Sequence, residues 1–211
     1  VAVLLLALPL AVACYLALSY ISSERFVQRR VARGGRISHP FVLAWLVICI
    51  AWIPVLVARW PGDFSFDAMW QTAFIVPDKS NISDYWSHLN AWHPPLHSLW
   101  LAGSLLLGQA LFDSYGAGLA FYTVTQVLVF SLCIARVLSY AYESGHPVIY
   151  GAGLAFAALF SGFSVYATMT TKDVVFSGIL ALVVLWVYRT VRGDYSQLNE
   201  RGWLLRGFAL F

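Results

Sequence analysis

The chain has 211 residues, 60% hydrophobic and only 11% charged, with a formal net charge of +3. A soluble domain carries about 25% charged residues, so this chain could not cover a water-facing surface, and the same composition excludes disordered and disulfide-scaffold classes. The composition implies an all-α, polytopic transmembrane helical bundle. It is read as a single membrane domain over residues 1–211, with a long outer loop containing short interfacial helices.

A spanning helix needs about 20 apolar residues. The first candidate is 1–21. No basic segment precedes it and Ser22-Ser23-Glu24-Arg25 is a poor cleavage site, so a span is expected rather than a signal peptide. Arg25, Arg29, Arg30, Arg33 and Arg36 follow against one acid, Glu24, which marks a cytoplasmic connection. The span 41–58 then delivers an outer loop, 59–116, in which Asp63, Asp67, Asp78 and Asp84 outnumber Arg59 and Lys79.

Within that loop the apolar run 95–112 opens with His93-Pro94-Pro95 and carries His97, Ser98, Ser104 and Gln109. If it crossed the membrane, Arg189, Arg192, Arg201 and Arg206 would lie outside. If it lies in the outer interface, those arginines and Arg136 are cytoplasmic, as arginines in short loops usually are. An interfacial helix is therefore expected. Spans at 117–138, 148–167 and 174–190 complete the set, and the polar stretch 168–173 faces outward. Asp67 and Asp173 then share one face of the membrane. Val1 opens the chain and Trp203–Phe211 read as the start of another apolar helix, so an N-terminal piece of a longer protein is expected. Cys14, Cys49 and Cys133 sit in apolar runs and read as small core residues.

The outer loop holds most of the residues suited to chemistry. Ser65 is a good N-cap, which puts Asp67 in the first turn of a short helix and Gln71 one turn on. An acid there is an ordinary structural feature, stabilised by the helix dipole; it is also a candidate base. Thr171 caps the span 174–190 in the same way, leaving Asp173 at its start beside Lys172, a point charge suited to phosphate. Trp60, Trp70, Trp86, Trp92 and Trp100 suit an interface belt or a sugar-stacking surface. His93 and His97 are four apart, on one helical face. They read as structural contacts, as phosphate or sugar contacts, or, with Asp67 and Asp173, as ligands of a divalent metal; their spacing lacks the glutamate of the zinc-protease pattern. No phosphate-binding glycine loop, nucleophile elbow or C-x-x-C is present, and no internal repeat points to a transporter.

Taken in order, Pro61-Gly-Asp-Phe-Ser-Phe-Asp67 with Gln71, His93-Pro-Pro-Leu-His97 and Lys172-Asp173 resemble the GT-C superfamily of integral-membrane glycosyltransferases. The likeness covers about residues 41–190 and is nearest to bacterial proteins close to the protein O-mannosyltransferases and lipid A aminoarabinose transferases. Some relatives carry two adjacent acids in the first loop, where Ala68 follows Asp67 here. The resemblance implies a glycosyltransferase that moves a sugar from a polyprenyl-phosphate donor to an acceptor hydroxyl on the outer face of a bacterial plasma membrane. It implies Asp67 as the base and Asp173 as a second acid lining the site. The residues add Lys172, Arg59 and protonated His93 or His97 as contacts to the donor phosphate, and Trp60, Trp70, Gln71 and Trp92 as sugar contacts. No cofactor is required, a divalent metal on Asp67, Asp173 and His93 being the variant chemistry. Partners are the lipid-linked sugar, the bilayer and an acceptor glycan, lipid or protein, with no nucleic acid. The competing readings are a multi-pass transporter or flippase, and a non-catalytic membrane scaffold.

Overall fold

The computed structural model describes residues 37–73 and 93–192. The expected first span 1–21, Trp86 and Trp92 lie outside the described residues. Seven helices form within them: α1 Pro40–Ala58, α2 Phe66–Thr72, α3 Pro95–Phe112, α4 Tyr115–Glu143, α5 Pro147–Leu159, α6 Ser161–Ala167 and α7 Lys172–Val191. No strand forms among the described residues; one isolated parallel bridge joins Asp63 to Met169.

Helix starts follow local chemistry. Prolines occupy the first turns of α1, α3 and α5, where a missing N–H costs nothing. Serine or threonine caps α2, α4 and α7: Ser65 accepts from the Ala68 N–H, Ser114 from Ala117 and Thr171 from Asp173. Between α3 and α4 the chain turns within two residues, with Asp113 in the left-handed region at φ 49°.

Helix α4 is the axis of the bundle, packed against α1, α3, α5, α6 and α7. Helix α1 runs antiparallel to it. At one end the Ile37 N–H donates to the Tyr142 hydroxyl at 2.7 Å; midway Trp45 Nε1–H donates to Ser131 Oγ at 3.1 Å; at the other end Gly62 abuts Thr123. Trp52 Nε1–H also donates to the Ala157 carbonyl at 3.0 Å, tying α1 to α5. Helix α7 runs parallel to α4, with Gly178 against Cys133 and Tyr188 against Tyr140. Helix α3 folds back along the start of α4 with backbones in contact: a Cβ on Gly118 would stand 2.5 Å from the Ser104 carbonyl oxygen and 2.6 Å from Leu105 Cα.

The outward surface is apolar. On α1, Ala44, Ile48 and Trp52 face the core, while Val42, Leu46, Ile50, Ile53 and Val57 are exposed. An exposed face that is as apolar as the buried one needs lipid, not water, around it. Helices α1, α4 and α7 are long and apolar enough to cross a membrane, and α5 with α6 makes a fourth crossing if the bent pair is one span. The chain is thus a helical membrane protein. Helix α3 is not among those candidates.

The structure changes one expected element. The run 148–167 is two helices bent by 59°, with Phe160 in extended conformation between them. The Phe160 ring folds over Gly162, where a Cβ would meet it at 2.4 Å, and stacks on Phe156 at 5.2 Å. Glycine is the residue that leaves room for that ring.

Charge divides between the two ends. Arg136, Arg189 and Arg192 lie toward the end marked by Ile37 and Tyr142, where Arg136 pairs with Glu143 at 2.8 Å. At the opposite end lie Asp63, Asp67 and Asp173 with Arg59 and Lys172.

Candidate functional site

The acidic end is assembled by a stitch between two segments more than a hundred residues apart. The Asp63 N–H donates to the Thr168 carbonyl and the Thr170 N–H to the Asp63 carbonyl, both at 3.0 Å. The Ser65 N–H donates to Thr170 Oγ1 at 2.7 Å, and that hydroxyl donates to the Asp63 carbonyl at 2.8 Å. Ser65 Oγ donates to the Thr170 carbonyl at 2.5 Å. Thr170 is fully buried. This register places the first turn of α2 over the start of α7.

Lys172 Nζ donates to Asp67 Oδ2 at 3.1 Å as a result. The pair sits at the surface of the site, with the Lys172 side chain 26% and the Asp67 side chain 43% exposed. An ion pair that open contributes about 0–1 kcal/mol to stability, too little to be the reason for the arrangement. Asp173, one residue on, is exposed and accepts from Thr171 Oγ1 at 3.2 Å. His93 lies near both charges. Burial and the Lys172 ammonium lower its pKa below the usual histidine value, while Asp67 opposes them.

His97 is buried and hydrogen-bonded on both sides. Its Nδ1 is 2.6 Å from the Gln71 amide oxygen and its Nε2 is 2.7 Å from the Tyr122 hydroxyl. Tyr122 in turn donates to Gln126 Oε1. Gln126 spends both amide hydrogens on backbone, donating to the carbonyls of Ala167 at 2.9 Å and Met169 at 2.7 Å. Burial lowers the His97 pKa to about 4, with Lys172 and His93 acting in the same direction and Asp173 against them.

Comparison of the chain with family models, curated proteins and solved structures returns no match.

Asp67, Lys172, Asp173 and His93 gather at one end of the bundle, as the residues deduced from sequence require if they act together. Other expected contacts sit differently. Gln71, expected to touch a sugar, is 3% exposed and faces His97 and Ser98. His93 and His97, expected as cations for a phosphate, are both held toward the neutral form by burial. Arg59, expected on the same phosphate, is paired with Asp63 at the end of α1. Trp60 is exposed, and Trp70 packs edge-on against Phe66 at 5.6 Å. Among the described residues no three His, Cys, Asp or Glu side chains gather as a metal ion would require. Sequence reasoning missed Thr170, Tyr122 and Gln126. The last had a signal: an amide in the middle of an apolar helix is costly unless partnered and is a functional candidate by default.

Proposed function

We propose that the chain is the site-bearing part of a membrane glycosyltransferase that moves a sugar from a polyprenyl-phosphate donor to an acceptor hydroxyl at the outer face of the membrane. The observation that carries the reading is the Asp67–Lys172 pair, a carboxylate and an ammonium 3.1 Å apart, brought from distant segments to the acidic end of a membrane bundle. The arginine-rich opposite end supports an outward orientation for this one. The order of motifs that resembles the GT-C superfamily supports the donor class.

The pair suits a substitution at an anomeric carbon. A polyprenyl-phosphate sugar brings its own anion. As that phosphate engages Lys172, the ammonium is drawn from Asp67 and the carboxylate is released to act as a base. Asp67 then takes the proton of the acceptor hydroxyl while its oxygen bonds to the anomeric carbon. The bond from that carbon to the phosphate oxygen breaks, and its electron pair stays on the phosphate, where Lys172 balances the added charge. The configuration inverts. Neutral His93 contributes a hydrogen bond rather than a charge. Helix α3 is proposed to lie along the outer interface, presenting Leu96, Leu99, Leu106 and Leu111 to lipid, all of them exposed.

Native mass spectrometry of protein extracted from membranes tests the donor class. Wild type and Asp67→Asn are expected to retain a polyprenyl-phosphate lipid, and Lys172→Met to lose it. Equal retention, or none, in all three removes Lys172 from the donor site.

A further inference from the structure

The buried chain of side chains beneath the site is more than packing. Gln71, His97, Tyr122 and Gln126 come from α2, α3 and α4, and their exposures are 3%, 8%, 0% and 0%. One end of the chain is in the last turn of α2, four residues and so one turn from Asp67. The other end grips the carbonyls of Ala167 and Met169, in the segment that leads through Thr170 and Thr171 into Lys172. Helix α2 has only seven residues, too few to hold itself in place without tertiary contacts. The Ser65 stitch fixes its start, and His97 fixes its end.

The chain also has a direction. Gln126 Nε2 is committed to two carbonyls, so its oxygen must accept from Tyr122. The one hydroxyl hydrogen of Tyr122 is thereby used, so His97 Nε2 must donate to it. A neutral ring then has a bare Nδ1, which needs a donor. Turning the Gln71 amide supplies one: Nε2, otherwise a buried donor without a partner, comes to face His97 Nδ1 and Ser98 Oγ. Every polar hydrogen of Gln71, His97, Tyr122 and Gln126 is then placed, and a buried chain of such bonds holds its members in one arrangement.

We propose that His97 and Tyr122 are positioning residues, whose hydrogen bonds hold Asp67 on α2 in register with Lys172 on α7. The functional consequence rests on the glycosyl-transfer reading; the geometric one does not. Two measurements therefore separate them. The first is the rate at which a short bis-methanethiosulfonate links Asp67→Cys to Lys172→Cys in full-length protein with Cys14, Cys49 and Cys133 changed to alanine. Tyr122→Phe keeps the ring but removes the link to Gln126, and Gln71→Met cuts the far end of the chain. Each is expected to slow linking about tenfold, as displacements of about 1 Å carry large rate penalties. Thr125→Ala, on the exposed side of α4 outside the chain, should change nothing. The second is transfer by Tyr122→Phe with both acids and Lys172 intact: kcat is expected to fall about tenfold with the KM for donor within about twofold of wild type. Unchanged linking in both Tyr122→Phe and Gln71→Met overturns the proposal. Slowed linking with no effect of Asp67→Asn on lipid-linked sugar would leave the positioning in place and remove the transferase reading.

Discussion

Acid should weaken this fold through His97 in a way that one substitution isolates. The folded state lowers the His97 pKa from 6.5 to about 4, chiefly by burial. As pH falls below 6.5 the unfolded chain takes up a proton that the folded chain refuses. Stability from this group is complete above pH 6.5, is lost between 6.5 and about 4, and changes no further below that. At about 1.4 kcal/mol per tenfold change in proton affinity, the loss is about 3 kcal/mol. The assay is thermal or denaturant unfolding in detergent micelles from pH 7 to pH 4, for wild type and His97→Gln. The variant will be less stable at pH 7, because it disturbs the bonds to Gln71 and Tyr122. Its stability should also depend less on pH, by about 3 kcal/mol over that range. His93 is shifted in the same direction, but it is present in both proteins and cancels in the difference. If His97→Gln loses as much stability as wild type between pH 7 and pH 4, His97 is not held neutral by burial.

Three further outcomes follow from the packing. Gly118→Ala should force α3 from α4 and cost about 1–3 kcal/mol, since its Cβ would meet backbone and not a movable side chain; a melting temperature equal to wild type would refute the close helix contact. Trp52→Phe should cost about 1–3 kcal/mol, because the Ala157 carbonyl loses its buried indole donor, and unchanged unfolding in the same assay would show that this bond does not secure α1 to α5. Lys172→Met and Asp67→Asn should each alter unfolding by less than about 1 kcal/mol while reducing transfer by at least about 100-fold; a large stability loss with residual transfer would make the pair structural.

Much of this could be read from residues near one another in the chain. Ser65 and Thr171 announced their caps, and Pro94-Pro95 marked the start of α3, because cap and proline chemistry act over three or four residues. The roles of Gln71 and His97 could not be read that way. Which face of α2 is buried depends on α3 lying against it, and the charge of His97 depends on how deeply Tyr122 and Gln126 enclose it. The break at Phe160 was missed because Ser161 and Gly162 are a weak signal, and the cause is an aromatic ring folding back over a glycine. Asp67 and Lys172 were placed at one end by the charge pattern, yet their contact is made by the Ser65–Thr170 stitch, whose partners are 105 residues apart.

The proposed role of Asp67 is to act on a sugar carried by a polyprenyl phosphate. Its most direct test is mass spectrometry of membrane lipids from cells lacking the full-length gene, compared after restoring wild type and after restoring Asp67→Asn at matched protein levels. A polyprenyl-phosphate sugar is expected to accumulate without the gene, to fall with wild type and to stay high with Asp67→Asn; the mass of that lipid would name the sugar class. An identical lipid-linked pool in all three strains would contradict it.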